Sequence, residues 1–282
     1  MSSLRIIRRR IRSVENTKKI TRAMQMVAGA KLRRLQEDLA SFRPYATYLA
    51  DITKRFLENH PDCTHSLLES PAPESPVGLL LITSDTGLCG TYNERILAMA
   101  HGFLREHPSA VIVAIGKKGS RFLARRGITR AKELLDWGGR YDPSQGEELF
   151  AWMRNLYEKG DISSWWIAHT QFVSAMQWKP TVSRLVPLSR PAAKELPQKV
   201  ILEPDKESLS RELLERYSVS LFTEIMLSSF TAEHSARMIS MKNATDNAAE
   251  MIDSLTLVRN KVRQAAITKE LIEVVSSAEA LT

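Results

Sequence analysis

The sequence of 282 residues is poor in the features that mark several common protein classes. It holds only two cysteines, Cys63 and Cys89, so a framework of disulfides is excluded as the source of stability. It contains no run of about 18 uncharged apolar residues, and we therefore expect no transmembrane helix. Its arginine-rich start lacks the apolar core and small-residue cleavage site of a secretory signal, and we expect no transit peptide either.

Glycine and proline are nearly absent from the two ends of the chain. The last 78 residues contain neither, and the first 60 contain only Gly29 and Pro44. Because these two residue types interrupt helices, both ends are predicted to be long helices, the first of them kinked at Pro44. The middle of the chain, where glycine and proline are frequent, is predicted to be a compact domain.

Acidic residues are scarce in the first 34 positions, which hold eleven lysines and arginines and one acid, Glu15. The net charge of +8 therefore arises in this segment. A basic helix suits an anionic partner such as a nucleic acid, a membrane surface or the acidic loops of a protein. The alternative is that the charges simply form a solvated helix face.

The N-terminal segment has the seven-residue period of a coiled coil. Alternating steps of four and three lead from Ile7 to Phe56, and most positions on the way are apolar. The polar positions on this series are Lys18, Thr21, Gln25 and Thr53.

The C-terminal segment has a similar period, with steps of three and four. The predicted positions are Met241, Ala244, Ala248, Met251, Leu255, Val258, Val262, Ala265, Lys269 and Ile272. A helix of about 70 residues is about 105 Å long, which exceeds the diameter of a compact domain of this size. The helix must therefore protrude, and its apolar stripe requires a partner helix. We expect residues 1–60 and 205–282 to form one antiparallel coiled-coil shaft.

The middle of the chain, residues 75–200, alternates predicted strands and helices. Val77–Thr83 has the composition of a buried strand, and a helix over Tyr92–His107 follows it. The other predicted strands are Ala110–Ile115, Trp165–Val173 and Val182–Pro187, and the other predicted helices are Lys117–Arg126 and Glu147–Lys159. This alternation predicts a mostly parallel, Rossmann-like sheet, so the fold class is α/β with a long coiled coil.

The segment SDTGLCG, from Ser84 to Gly90, lies between a strand and a helix, where phosphate-binding loops occur. It matches neither glycine-rich nucleotide motif, which favours a tight turn over a nucleotide site. A Rossmann-like enzyme with helical arms remains an alternative, and saturable nucleotide binding would identify it. Cys89 has no recognisable catalytic partner in the sequence and is predicted to be a free, partly buried thiol.

No other motif predicts catalysis or metal binding. His60, Cys63 and His65 lie close together, but their spacing fits no zinc site. The tryptophans are predicted to pack in the core and at the sheet edge, namely Trp152, Trp165, Trp166 and Trp178. A coiled-coil nucleic-acid-binding protein remains an alternative, and a steep salt dependence of its DNA affinity would identify it.

Several segments of the chain resemble the gamma subunit family of F-type ATP synthases. Arg10–Arg34 resembles the N-terminal signature helix of that family, and Ser84–Asn93 is similar to its motif after the first strand. His234–Ile252 and Asn260–Leu281 resemble its C-terminal signature. The resemblance covers the whole chain in order.

The chain departs from the family pattern at a few positions. Thr86 stands where a basic residue is usual, Thr91 where glycine is common, and Ser276 and Ser277 where at least one glycine is usual. These departures leave open a divergent paralogue, such as an alternative F-type ATPase of bacteria.

The resemblance implies a central rotor shaft without catalytic residues, present in one copy inside a ring of three alpha and three beta subunits. Its rotation would couple proton or sodium flow through the c-ring to ATP synthesis or hydrolysis. Further implied partners are the delta and epsilon subunits. The resemblance implies no cofactor, no metal, no nucleic acid and no direct membrane insertion, and a peripheral location on the cytoplasmic face of the bacterial inner membrane.

The resemblance also implies a set of residues that contact the alpha and beta subunits. These residues are Lys18, Arg22, Met24, Arg237, Arg263, Gln264, Thr268 and Glu270. Met24 would face an acidic loop of the beta subunits, while Arg263 and Gln264 would hold a second beta-subunit loop. Arg237 would be a basic position that interacts with the neighbourhood of Met24.

Overall fold

The structure is a computed structural model that describes residues 2–69, 72–192, 202–203 and 205–279. Its helices are α1 (Ser2–Asn59), α2 (Tyr92–Glu106), α3 (Lys117–Arg125), α4 (Pro143–Glu158) and α5 (Lys206–Glu279). Its strands are β1 (Val77–Ile82), β2 (Val111–Ile115), β3 (Lys132–Leu134), β4 (Ser164–Ser174) and β5 (Gln177–Val186). The described part of the chain contains no helix that is both long and apolar enough to cross a membrane.

The chain divides into two compact units. The smaller consists of Met1–Ala28 and Met238–Thr282, and the larger of Gly29–Arg237. Both boundaries fall inside a terminal helix, and not at residues 60 and 205, where the helices meet the middle domain in sequence. The expected domain limit at residue 200 and the expected end of the shaft at residue 282 lie outside the described residues.

The predicted seam of α1 is present along the whole helix. Every position reached by the steps of four and three from Ile7 to Phe56 is buried or half-buried. The polar position Thr53 is only 1% exposed, and its hydroxyl donates to the carbonyl of Leu49 at 2.7 Å. The helix continues through Pro44, which is exposed, so α1 is not interrupted at that position.

The seam of α5 in the smaller unit differs from the prediction at five of the ten predicted positions. Met241, Ala244, Ala248, Leu255 and Val262 are buried or half-buried as predicted. The alternate shielded positions are Thr245, Ile252, Arg259 and Ala266, whereas the predicted Met251, Val258, Ala265, Lys269 and Ile272 are exposed. The prediction was wrong by one residue because polar side chains occupy two true seam positions and apolar ones lie beside them.

The two helices of the smaller unit are antiparallel, as predicted. Thr245 Oγ1 lies 2.8 Å from Thr21 Oγ1 and fixes the register. Shielding on α1 continues from Thr21 towards the N-terminus as far as Leu4, while on α5 it continues from Thr245 towards the C-terminus as far as Ala266. From residue 267 to residue 277 α5 is exposed throughout, as expected where a helix extends past the end of its partner.

The larger unit contains a five-stranded sheet in the order β3-β2-β1-β4-β5. The first four strands are parallel, and β5 is antiparallel to β4. Leu79 of β1 aligns with Ile112 of β2 on one side and with Trp166 of β4 on the other. The predicted Rossmann-like arrangement is therefore confirmed, with β1 in the middle of the sheet.

Successive residues of β1 supply two separate cores. Leu80 and Ile82 point to the layer that contains α1, α4 and α5, whereas Leu79 and Leu81 point to the layer of α2 and α3. All four are fully buried, which explains the continuous apolar run of this strand. Trp165 extends the first core, and its indole nitrogen donates to the carbonyl of Met153 at 2.8 Å.

Some elements differ from the predicted bounds. Strand β3 was not predicted, and β5 begins at Gln177, five residues before the predicted start. Helix α4 begins at Pro143 because Asp142 caps it by accepting from the backbone amide of Gln145.

Candidate functional site

Seven of the eight predicted contact residues lie on the smaller unit. On α1, Arg22 is exposed, Lys18 is a half-buried seam position, and Met24 is half-buried beside the seam. On α5, the four positions are all exposed, namely Arg263, Gln264, Thr268 and Glu270. The Thr268 hydroxyl donates to the backbone carbonyl of Gln264 at 3.0 Å. This bond does not involve the side-chain amide of Gln264.

The structure does not bring these two groups together. From the register at Thr21 and Thr245, Lys18 faces the level of Ala248, whereas Arg263 lies at the level of residue 3. Fifteen helical residues correspond to about 22 Å. The two predicted contact groups therefore lie at different heights along the smaller unit.

The basic charge of α1 is not neutralised within the described chain. The first ion pair along the described residues joins Lys54 to Glu58, well beyond the eleven basic residues of the first 34 positions. Unpaired basic side chains on a helix attract an anionic surface.

Arg237 is the predicted contact residue that lies outside the smaller unit. It belongs to the larger unit, its side chain is only 8% exposed, and it forms an ion pair of 2.7 Å with Glu233, which is 3% exposed. Its guanidinium also donates to the carbonyls of Thr86 and Gly87, at 3.3 and 3.4 Å. These bonds hold the guanidinium within the larger unit, and a contact of Arg237 with a partner subunit stays a prediction.

The SDTGLCG segment forms a loop held by its own side chains. Ser84 and Asn93 hydrogen-bond to each other, with 2.7 Å between Asn93 Nδ2 and Ser84 Oγ. Asp85 Oδ1 accepts from the backbone amides of Lys117 and Asp136, both at 3.1 Å. The polar groups of the loop therefore connect neighbouring loops, which agrees with the predicted structural turn.

A second loop, Trp137–Gly139, lies against this one. Asp85 Oδ2 accepts from the Gly138 amide at 3.0 Å, and Lys31 Nζ donates to the Gly138 carbonyl at 3.1 Å. The carbonyl of Gly139 accepts from His234 Nε2 at 3.1 Å. Sequence analysis missed this loop because its partners lie between 53 and 107 residues away along the chain.

Burial controls the ionisation of this cluster. Desolvation, followed by the nearby charges of Arg237 and Lys31, lowers the pKa of His234 to about 4, so this imidazole is neutral at pH 7. Its Nδ1 then accepts from Arg237 Nη1 at 3.2 Å while its Nε2 donates to Gly139. Desolvation raises the pKa of Glu233, against the opposing effect of Arg237. Burial likewise raises the pKa of the Cys89 thiol, which favours the unreactive protonated form.

Helix α5 covers the carboxyl ends of β1 and β4, where a doubly wound sheet binds its ligands. Ser228 Oγ accepts from the amide of Phe172 at 2.8 Å. The hydroxyl of Tyr92, fully buried, lies 3.2 Å from both the carbonyl and the hydroxyl of Ser229. The chain therefore fills this crevice with its own helix. Within the described residues, no group of three or more metal-ligating side chains is present.

Comparison with known proteins agrees with the two-helix architecture. A family model described as ATP synthase matches residues 3–281. The ATP synthase gamma chain of Moorella thermoacetica is 40% identical over 282 residues, and that of Desulfitobacterium hafniense is 39% identical over 282 residues, with 100% of both chains covered in each case.

Two solved structures have a similar fold. The rotor of the Euglena gracilis mitochondrial ATP synthase matches 94% of this chain and 99% of its own, with a TM-score of 0.69 and 15% identity. The central stalk and c-ring structure of the Tetrahymena thermophila enzyme matches 80% of this chain with a TM-score of 0.61 and 20% identity. At these identities the likeness concerns the fold alone.

Proposed function

Because this chain belongs to the ATP synthase gamma-chain family, we propose that it is the central rotor shaft of an F-type ATP synthase. It turns inside a ring of three alpha and three beta subunits and couples ion flow through the c-ring to the synthesis or hydrolysis of ATP. Full-length identity of 40% to a gamma chain is the observation that carries this proposal, and the antiparallel coiled coil supports it.

A rotor shaft has to be stiff, and the two terminal helices meet that need. Helix α1 has 58 residues and α5 has 74, and the second contains neither glycine nor proline. Their hydrophobic seam is shielded by the opposite helix, so the pair resists bending better than either helix alone. We propose that residues 1–60 and 205–282 together make up the shaft and that residues 75–200 form an α/β body.

The shaft acts on the ring by presenting different faces to three equivalent subunits. Each beta subunit would change its state when a new face of the shaft arrives, because only a differential contact shifts a conformational equilibrium. The unpaired basic residues of α1 suit acidic loops of that ring. Lys18, Arg22 and Met24 would form one contact region, and the exposed group on α5 from Arg263 to Glu270 would form the other.

The subunit itself would carry no catalytic residue. The buried, neutral His234, the protonated thiol of Cys89 and the internal bonds of the Ser84–Gly90 loop support a structural role for the polar residues at the end of the sheet.

The further partners of the subunit would be the delta and epsilon subunits and the c-ring, with one copy per complex. We place it on the cytoplasmic face of the bacterial inner membrane, held there by these partners.

Co-expression with the alpha and beta subunits of the same organism tests the proposal. We expect gel filtration to recover one copy of this chain with three alpha and three beta subunits, and steady ATPase activity to depend on its presence. The matched control is a chain shortened after residue 258, which loses the α5 contact region but keeps the clustered basic residues of α1.

Two outcomes would contradict the proposal. One is a chain that stays outside the alpha–beta complex while alpha and beta still assemble. The other is equal steady ATPase activity with and without the chain. Binding of DNA or of a nucleotide by the isolated chain would then direct attention to the other functions considered from the sequence.

A further inference from the structure

Helix α5 leaves the larger unit at a group of buried polar contacts. Arg237 is the last residue of that unit, and Met238 is the first residue of α5 in the smaller one. We propose that Arg237 is a positioning residue that locks α5 to the α/β body, so that torque applied to the body passes into the helix. This inference rests on the proposed rotor function and assigns Arg237 an internal role in place of a partner contact.

Arg237 connects α5 with the loop after β1. Its Nη1 pairs with Glu233 at 2.7 Å, and its Nη2 reaches the Thr86 hydroxyl at 3.1 Å and the Thr86 carbonyl at 3.3 Å. Its Nε donates to the carbonyl of Gly87. A planar guanidinium with five donors can make these bonds at the same time, which an ammonium group on a flexible stem cannot do.

The network extends to the loop Trp137–Gly139 through His234. The neutral imidazole accepts from Arg237 and donates to the carbonyl of Gly139. It therefore connects the guanidinium of Arg237 to the loop Trp137–Gly139. Gly139 has a φ of +67°, and a Cβ at this position would lie 2.5 Å from His234 Nε2. Only glycine permits so close an approach of the loop to α5.

The same loop is also fixed from two other directions. Asp85 holds the Gly138 amide, and Lys31 of α1 holds the Gly138 carbonyl. Lys31 lies two residues after Gly29, where α1 enters the larger unit. We call this group the clasp, and its members are Lys31, Asp85, Trp137–Gly139, Glu233, His234 and Arg237.

Burial distinguishes this ion pair from the others on α5. Glu212 and Arg216 have the same residue types and the same spacing, and their shortest contact is also 2.7 Å. Their side chains are 64% and 61% exposed, against 3% and 8% for Glu233 and Arg237. Water replaces a lost partner at the exposed pair, whereas the buried pair leaves an uncompensated charge when it is broken. The buried pair Glu233–Arg237 therefore suits a connection between α5 and the α/β body that has to persist while torque is applied.

The test uses the complete ATP synthase reconstituted in vesicles, with Arg237→Met in this chain. We measure ATP hydrolysis and ion pumping in the same sample and take their ratio. Since the clasp transmits torque and takes no part in the chemistry, we expect ATPase activity to remain within twofold of the unsubstituted complex. We expect ions pumped per ATP to fall at least twofold.

Arg216→Met is the matched control, because it breaks a pair of the same kind on the same helix in water. Its ratio of ions to ATP should equal that of the unsubstituted complex. An Arg237→Met complex that assembles and pumps at the unsubstituted ratio would overturn the inference. So would an equal loss of the ratio in Arg216→Met.

A second variant applies if Arg237→Met does not assemble. Arg237→Lys keeps a positive charge beside Glu233 but cannot make the forked bonds to Thr86, Gly87 and His234. We expect a reduced ratio in this variant, and an unchanged ratio would overturn the inference. Failure of the rotor proposal has a different signature, because the unsubstituted chain would then neither enter the complex nor support pumping.

Discussion

Thr245 on α5 donates a hydrogen bond of 2.8 Å to the hydroxyl of Thr21 on α1, across the seam of the coiled coil. Thr21 in turn donates to the carbonyl of Lys18 at 3.1 Å. Thr245 Oγ1 also lies 2.7 Å from the Met241 carbonyl, so each hydroxyl has an acceptor on its own helix. The pair favours this register because a shift would separate the two hydroxyls and set each against other, mostly apolar, seam residues. The register decides which residues of each helix face outward, and therefore which surfaces meet the partner subunits.

Removal of this hydroxyl pair should destabilise the shaft. Thr245→Val and Thr21→Val each remove one partner, and a double-mutant cycle should give a coupling of about 1 kcal/mol from unfolding of the full chain in urea. Thr17→Val on α1 is the control, because its hydroxyl is exposed and, among the described residues, bonds to the carbonyl of Ser13. A coupling near zero would contradict the register assigned here.

The clasp predicts different costs for two adjacent glycines. Both have positive φ, +60° at Gly138 and +67° at Gly139, so alanine at either should cost about 1 kcal/mol in backbone strain. A Cβ on Gly138 meets nothing within 4 Å, whereas one on Gly139 would meet His234 at 2.5 Å. Thermal unfolding should therefore show a clearly larger loss for Gly139→Ala. Equal losses would mean that the close approach is absent.

Gly102 gives a prediction of the opposite sign. It lies within α2, and a Cβ there meets nothing within 4 Å. Because glycine is entropically unfavourable inside a helix, Gly102→Ala should stabilise the larger unit by about 0.5–1 kcal/mol. A higher unfolding midpoint for the Gly102→Ala variant would confirm this prediction. A lower midpoint would show that other atoms occupy the space beside Gly102.

The pH dependence of stability should include a contribution from His169. Burial lowers the pKa of this side chain to about 4, below its ordinary value of 6.5. Between these values the unfolded chain binds the proton more readily, so stability is present above pH 6.5 and is lost as the pH falls towards 4. From pH 7 to pH 5 the loss should be about 2 kcal/mol, because one pKa unit corresponds to about 1.36 kcal/mol.

The His169→Gln variant isolates this effect. It can still bond to the Ser183 hydroxyl, which lies 3.2 Å from the imidazole, but it does not titrate. Urea unfolding at pH 7 and pH 5 should therefore show a smaller pH-dependent loss than in the unsubstituted chain. An unchanged loss would assign the effect to other groups, among them His234.

Met24 offers a test of the contact region proposed on α1. This residue is half-buried beside the seam, and Met24→Lys adds a cation next to Arg22. We expect the reconstituted complex to pump fewer ions per ATP, with the shaft still folded by circular dichroism. Met26→Lys is the control at a position that is 61% exposed. Equal pumping per ATP in the Met24 variant and the unsubstituted complex would contradict the prediction.

The periodic parts of this fold could be predicted from the sequence, and the clasp could not. The α1 seam was predictable because eleven of its fifteen positions are apolar. On α5 the apolar residues Met251 and Val258 lie next to the true seam positions Ile252 and Arg259, so the pattern alone favoured the wrong alternate positions. Periodicity detects an apolar stripe but cannot fix its phase where polar residues occupy the seam.

The contacts of Arg237 depend on tertiary structure. Its partners Thr86 and Gly87 lie 151 and 150 residues away. The sequence shows a basic residue on a helix, and most such residues are exposed. Only the course of α5 across the end of the sheet buries this one. The buried Glu233 four residues earlier was the available signal, because it can pair with Arg237 on one helix face.

Direct observation of rotation tests the central claim. The alpha and beta subunits are fixed to a surface, and a bead is attached through Met176→Cys, at a turn residue that is 81% exposed, while Cys63 and Cys89 are buried. With ATP added, we predict rotation in one direction, pausing at thirds of a turn because three beta subunits act in sequence. Beads that do not rotate while the same complexes hydrolyse ATP would contradict the account.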